Sequence, residues 1–370
     1  MIIFLISTVM VVSPKEDKDK EGKIRVIAET DKEVFDAITN GCKLVREAKS
    51  LKALICSKNV ALSLGLKEDI KVFALDSGAN TQVSASLVHS NGNTGKNRKI
   101  IVLDTGYNYN HQELSSSYLG GYDFVNDDND PLDDNGHGSH VSGIITADGI
   151  DPKAKGIAPD SGIISGKVLD AYGSGFFSDV VAGIYWAVDG FDGIAGTADD
   201  FNADAISISL GTSQPYIYKG FCDNVLPSLT NAIKYARSKN VLVVVASGNS
   251  GNSGVSIPGC ISYSTTVGAV DSLDKIASFS GKGNAVDISA PGVNLFSSWT
   301  GIEYKTASGT SMSTPIVSGT VALVKYAHPG YTVTQTENAL IKTAKDLGRY
   351  GKDTSYGWGR VNANSAVNYI

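Results

Sequence analysis

KIIVLD (residues 99–104) is a continuous apolar run, mostly β-branched, that ends on an acid. No polar residue alternates with the apolar ones, so the run predicts a strand covered on both faces. Working outward, five further runs have the same character: GIISGKVLD (162–170), AISISLG (205–211), VLVVVASGN (241–249), YSTTVGAV (263–270) and AVDISAPG (285–292). Helical stretches separate several of them: SDVVAGIYWAVDG (178–190), SLTNAIKYARSKN (228–240) and the segment after Ser311. Buried strands alternating with helices predict an α/β domain over 99–370, a mostly parallel twisted sheet with helices on both faces. Ligands of such sheets gather at the carboxyl ends of the strands, so polar residues there carry the functional signal.

The whole chain has 370 residues, enough for two or three domains or one large domain with an appendage. Apolar residues make up 42% and charged residues 19%, which excludes a disordered chain. A net charge of −6 without a Lys/Arg-rich run excludes nucleic acid as a partner. No apolar run reaches the ~18 residues of a membrane span. Residues 1–13 contain IIFLISTVMVV (2–12), the length of a signal-peptide core, although no Lys or Arg precedes it; the alternative is a buried strand. Export is the expectation. Residues 22–76 read as a small α+β piece: IRVIA, CKLVREA, LKALIC and IKVFALD as strands, DKEVFDAITN and SKNVALSLG as helices. Residues 77–98, rich in Ser, Asn, Thr and Gly, read as a linker and the extended start of the next domain.

The strand ends carry chemistry. KIIVLD stops at Asp104; His137 opens the apolar stretch HGSHVSGIITA (137–147); VLVVVA runs into Ser247-Gly248-Asn249; and Ser311 opens another helix within GTSMSTPIVSG (309–319). An acid, an imidazole, an amide and a hydroxyl are the inventory of nucleophilic acyl transfer. Ser311 suits the nucleophile, exposed at a helix start with its own N–H directed toward a developing oxyanion. His137 suits the general base and acid, Asp104 the partner that fixes the imidazole, and Asn249 a second oxyanion donor. Each residue alone has a plainer reading as a cap, a turn or a surface group.

Together, in this order, these stretches resemble the subtilisin-like serine peptidases, the subtilases. IVLDTGYNYN (101–110) is similar to the family's Asp motif, HGSHVSGIITA to its His motif, GTSMSTPIVSG to its Ser motif and the SGN after VVVA to its oxyanion Asn motif. Tyr107 and Ser139 depart mildly from the commoner residues. The resemblance covers about residues 80–370 and implies a serine endopeptidase acting on proteins or peptides. It implies two extended segments that hold the substrate backbone, Gly173-Ser174-Gly175 and Ser209-Leu210-Gly211. The pocket for the residue before the scissile bond would be lined by Ala246, Ser247, Gly248 and the region of Ser256; it carries no acid, which favours apolar or aromatic side chains over cations. The resemblance also implies that 22–76 is a propeptide, an intramolecular inhibitor cut off somewhere in 76–83, and that the mature enzyme is a monomer.

DFVNDDNDPLDD (123–134) supplies closely spaced hard oxygen donors that suit structural Ca²⁺ and resemble the calcium loop of thermostable subtilases, with Asp123, Asp128, Asp130 and Asp133 as expected ligands. Asp200, Asn202 and Asp204, within DGFDGIAGTADDFNADA (189–205), and Glu113 are weaker calcium expectations. The histidines and cysteines lack the spacing of a zinc site, and no organic cofactor is expected. Cys222 and Cys260 can pair if the chain is exported. Three rival readings stay open. LDSG (75–78) and LDTG (103–106) resemble aspartic-peptidase motifs, but their acids are only 28 residues apart, too close for two lobes. An inactive, calcium-dependent binding module and a narrow-specificity maturation peptidase are the others.

Overall fold

The computed structural model describes residues 22–28, 30–48, 51–68 and 78–370. The chain divides into two compact units, residues 1–74 and 75–370. The signal-peptide reading of 1–13 and the strand expected at IKVFALD lie outside the described residues.

The described residues of the first unit form an antiparallel four-stranded sheet in the order β2-β3-β1-β4, built from β1 (Lys23–Ala28), β2 (Lys43–Ala48), β3 (Leu51–Ser57) and β4 (Lys67–Glu68). Two helices accompany it, α1 (Asp31–Thr39) and α2 (Lys58–Ser63). Thr30 and Glu33 cap α1 reciprocally, and Ser57 caps α2. The core is small: Val26, Ala28, Ala37, Leu54 and Ala61 around a Cys42–Cys56 disulfide. At this size a covalent cross-link compensates for scarce apolar burial.

The second unit holds a seven-stranded parallel sheet. Its strands are β5 (Lys99–Asp104), β6 (Tyr118–Asp123), β7 (Gly162–Lys167), β8 (Ala205–Ile208), β9 (Leu242–Ala246), β10 (Thr265–Val270) and β11 (Ile288–Pro291), in the order β11-β10-β9-β8-β5-β7-β6. On β5, Ile100 and Val102 join one apolar layer while Ile101 and Leu103 join the other, so both faces are covered. Helices α3 (His137–Thr146) and α6 (Thr310–Ala327) pack in the first layer, α4 (Phe177–Asp189) and α5 (Pro227–Ser238) in the second. A hairpin of β12 (Leu295–Ser298) and β13 (Tyr304–Ala307) leads into α6. Among the described residues no helix is long and apolar enough to cross a membrane.

Strand order places the site. From β5 the chain first builds β6 and β7 on one side, then returns to lay β8 on the other. The carboxyl ends of β5 and β8 therefore border a switch point, where α/β sheets open a crevice. Leu103 pairs with Ile208, and Asp104 with Lys167, so Asp104, Lys167 and Ser209 reach that edge together.

The described part of 77–98 is not a linker. Residues Ala79–Gln82 and Ala85–Ser90 form two short helices, and Ala79, Val83, Ala85 and Val88 are buried in the main core. Val83 accepts a hydrogen bond from Ala363 N at 2.7 Å, and the Arg360 guanidinium binds the Gln82 carbonyl. Apolar residues scattered among polar ones hid this anchoring from a composition-based reading.

Candidate active site

Asp104 ends β5 fully buried. Its Oδ1 accepts from Thr105 N and from His137 Nδ1, both at 2.7 Å. A carboxylate can only accept, so Nδ1 carries the proton and the Nε2 lone pair is left for other work. His137 is the first residue of α3, and its ring keeps 27% exposure. Burial pushes its pKa down, but the charge and hydrogen bond of Asp104, helped by the charge of Asp133, outweigh this and raise it above 6.5.

The turn before His137 needs glycine twice. Gly136 has φ 106° and lies so close to Trp299 that a Cβ would sit 2.3 Å from the indole; a Cβ at Gly138 would sit 2.2 Å from Gly106 O. Asp133 organises the same turn. Its carboxylate accepts from Thr105 Oγ1 (2.9 Å), Asn135 N (3.0 Å), Gly136 N (2.8 Å), Ser139 N (2.8 Å) and Ser139 Oγ (2.6 Å). This is an anion at a helix N-terminus, satisfying amides that the helix leaves free.

Ser311 is the second residue of α6. Its Oγ donates to Ser209 O at 3.0 Å, and Ser209 Oγ donates to Ser311 O at 3.0 Å. Among the described residues Ser311 Oγ makes no hydrogen bond to His137. Asn249 Oδ1 accepts from Thr310 N (3.0 Å) and Thr310 Oγ1 (3.1 Å). An amide N–H facing that atom fixes it as oxygen, so Nδ2 is the free end. It is turned toward Gly309, where a Cβ would lie 3.4 Å away.

A cleft of about 660 Å³ runs from His137 past both segments expected to hold substrate, Gly173-Ser174-Gly175 and Ser209-Leu210-Gly211, with Leu169, Val180 and Tyr216 among its walls. Beside it, Cβ atoms at Gly211 and Gly248 would lie 2.3 and 2.4 Å from Ser256 Oγ, so these three residues converge. Ala246 ends β9 next to them and Ser247 follows it, both buried. Every group here is neutral. The Cys222–Cys260 disulfide (1.98 Å) ties the segment after Gly211 to the one after Ser256.

The residues expected to bind calcium are placed differently from one another. Asp123 and Asp128 are together: their backbones exchange hydrogen bonds at 2.8 and 3.1 Å. Asp123 Oδ1 accepts from Val125 N and Asn126 N, Asp128 Oδ1 from Asp130 N, and Asp130 Oδ1 from Tyr109 Oη. Asp133 is turned away to the α3 terminus. Glu113 is fully buried and saturated, accepting from the amides of Gly149, Ile150 and Asp151 and from Tyr304 Oη. Asp204 faces Arg98 (3.8 Å) and Lys325 (4.0 Å), cations that take the place of a metal. Asp200 accepts from Gly196 N, and Asn202 donates to Asp200 O, bonds that fold the loop on itself. No group of three or more His, Cys, Asp or Glu side chains among the described residues is gathered to hold a metal ion. Of the residues expected to bind calcium, Asp123, Asp128 and Asp130 share one short loop, which also carries Asp127 and Asp134.

Two residues were missed by sequence reasoning. Thr105 Oγ1 accepts from Gly138 N at 2.8 Å while donating to Asp133, so it locks the Asp104 strand to α3. Lys167, 1% exposed, donates to Thr105 O (2.8 Å), Leu169 O (2.9 Å) and Asp134 Oδ1 (2.7 Å). It ties the acid strand, the start of one cleft segment and the histidine loop together. A lysine inside the apolar run GIISGKVLD was its only signal.

A parallel α/β sheet with a carboxylate–imidazole pair, a helix-start serine and a free amide at one edge defines a hydrolase-like site. Comparison with known proteins gives the family. The subtilase family profile matches residues 95–359. The chain is 37% identical over 291 residues to the thermophilic serine proteinase of Bacillus sp. strain AK1, covering 78% of this chain and 66% of that one. It is 38% identical over 287 residues to subtilisin Savinase of Lederbergia lenta, covering 78% and 97%. It is also 38% identical over 287 residues to the alkaline protease of Alkalihalobacillus alcalophilus, covering 78% and 68%. The chain belongs to the subtilase family. It is a subtilisin-like serine endopeptidase, a hydrolase.

Proposed function

We propose that Asp104, His137 and Ser311 are the catalytic triad, with Asn249 Nδ2 and the Ser311 N–H as the oxyanion hole. The observation that carries this is the 2.7 Å Asp104–His137 bond, with His137 lining one cleft together with Ser209, the hydrogen-bond partner of Ser311 Oγ. His137 Nε2 takes the Ser311 Oγ proton as Oγ attacks the scissile carbonyl carbon. The imidazolium, stabilised by Asp104, then returns that proton to the leaving amine. Water repeats the sequence on the acyl-enzyme and releases the new carboxyl end. The Ser311–Ser209 bond is the resting state of the nucleophile. A substrate N–H that takes the Ser209 carbonyl removes that acceptor and leaves Oγ to His137. Asn249, fixed through Thr310, donates to the oxyanion without reorganising; losing one such donor typically costs about 10²–10³ in rate.

Substrate lies between Gly173-Ser174-Gly175 and Ser209-Leu210-Gly211. The neutral pocket around Ala246, Ser247, Gly248 and Ser256 favours an apolar or aromatic residue before the bond. Residues 22–76 act as a propeptide, the chain is exported, processes itself and works as a monomer. A calcium ion, when bound, supplies cross-linking charge to the 123–134 loop through Asp123, Asp128 and Asp130, and no catalytic step runs through it.

The test is a serine-directed fluorophosphonate followed by peptide mass mapping. One adduct on Ser311, absent from Ser311→Ala and slowed in His137→Ala, is expected. An adduct elsewhere with intact caseinolysis would overturn the assignment.

A further inference from the structure

The hairpin β12–β13 and its turn pack against the start of α3, the helix that His137 opens. On the cleft side Asn135 Nδ2 donates to Ala171 O at 2.9 Å, while the next residue, Gly136, is covered by Trp299. The hairpin is fixed to α3: Ser297 Oγ donates to His140 O, Ser298 Oγ to Ser139 O, and His140 Nε2 meets Lys305 O at 2.9 Å. Its second strand ends at Ala307, four residues before Ser311. None of its residues lines the cleft. A peptide whose acyl half occupies the cleft must carry its other half past this hairpin.

Lys305 stands on that hairpin. Its Nζ lies 3.9 Å over the centre of the Trp299 ring, a cation–π contact that holds the ammonium in place on a solvent-facing surface. Among the described residues no carboxylate lies within ion-pair distance of it. The Trp299 ring on which it rests lies directly against Gly136, the residue before His137, and this places the ammonium near the reacting centre. The mechanism gives this cation no role.

We propose that Lys305, held on Trp299, is a specificity-determining residue that receives an acidic side chain of the substrate on the leaving-group side of the scissile bond. The proposal rests on the peptidase reading above. An exposed cation lacking a carboxylate gains attraction when an acid arrives, and the platform removes part of the entropy cost of holding a long side chain.

The test uses internally quenched peptides with one acyl half and Glu, Gln or Lys at the first or second leaving-side position. A p-nitroanilide of the same acyl half has no residue there and reports the peptidase reading alone. All peptides and variants are assayed at one pH in the same buffer. The wild type is expected to prefer Glu over Gln by about two- to fivefold in kcat/KM. The preference is expected to vanish at about 1 M salt, where the screening length is ~3 Å. Lys305→Met should abolish it and Lys305→Glu should turn it toward Lys. Selectivity is a ratio within each variant, so a general loss of activity cancels. A wild type that cleaves the nitroanilide but does not prefer Glu, or a Lys305→Glu enzyme that keeps the preference, overturns the proposal. A wild type that cleaves neither overturns the peptidase reading and this one with it.

Discussion

Removing the Cys222–Cys260 bridge has a cost that follows from the chain. The bond closes a loop of 38 residues. In the chain-entropy account a loop of that length stabilises the fold by about 4 kcal/mol at 25 °C. Unfolding a unit of roughly 300 residues carries an entropy near 0.6 kcal/mol/K, so Cys222→Ala/Cys260→Ala should lower Tm by about 6–7 °C. Both side chains are buried, so unfilled sulfur space adds to the loss. The bridge also steadies the pocket: Ile217 and Tyr218 pair with Ser256 and Val255, and Thr212 N donates to Ile257 O at 3.1 Å. KM should therefore rise more than kcat falls. Calorimetry belongs in a Ser311→Ala background, so that self-digestion does not truncate the transition, and kinetics in the active enzyme. A Tm change within about 1 °C would refute the loop-closure reasoning.

Five further outcomes are expected. Asp104→Asn should lower kcat by about 10⁴ at neutral pH while keeping the fold, read with a chromogenic peptide and circular dichroism. The acid limb of kcat/KM should fall above pH 6.5, because Asp104 and Asp133 hold the His137 proton more strongly than burial expels it; a limb below 6.5 contradicts this. Burial lowers the His140 pKa to about 4, against the ordinary 6.5. The unfolded chain then takes up this proton first, so stability present above pH 6.5 should be lost by about 3 kcal/mol as pH falls through 4, and urea unfolding of a His140→Gln variant should lack that component. Calcium at about 100 times its Kd should raise Tm by several degrees over EGTA-treated protein, less so in Asp128→Asn. Asp133→Asn should lower Tm equally with and without calcium, because its carboxylate serves the α3 terminus.

The sheet was legible because strands buried on both faces must be apolar throughout, and because function collects where such runs stop. Asp104, His137, Asn249 and Ser311 all stand at element boundaries marked by abrupt polarity changes. The pattern could not say where side-chain oxygens point. Asp133 reads as one more acid in DFVNDDNDPLDD, yet five donors converge on it. Glu113 reads as an isolated acid, yet it folds the 149–151 turn around itself. Lys167 is visible as an oddity in a strand, but two of its acceptors, Thr105 O and Asp134 Oδ1, come from segments that only the fold unites. The helices within 79–90 bury small residues, Ala79 and Ala85 among them, and so show no strong periodicity.

The central claim is that this chain is a serine endopeptidase that frees itself from its own first unit. The most direct measurement refolds the wild-type chain and Ser311→Ala side by side and follows both by gel, N-terminal sequencing and casein hydrolysis. The account predicts that the wild type loses its first ~75–80 residues and digests casein, while the variant stays whole and inactive. Both chains staying whole and inactive, or both being cut alike, would contradict it.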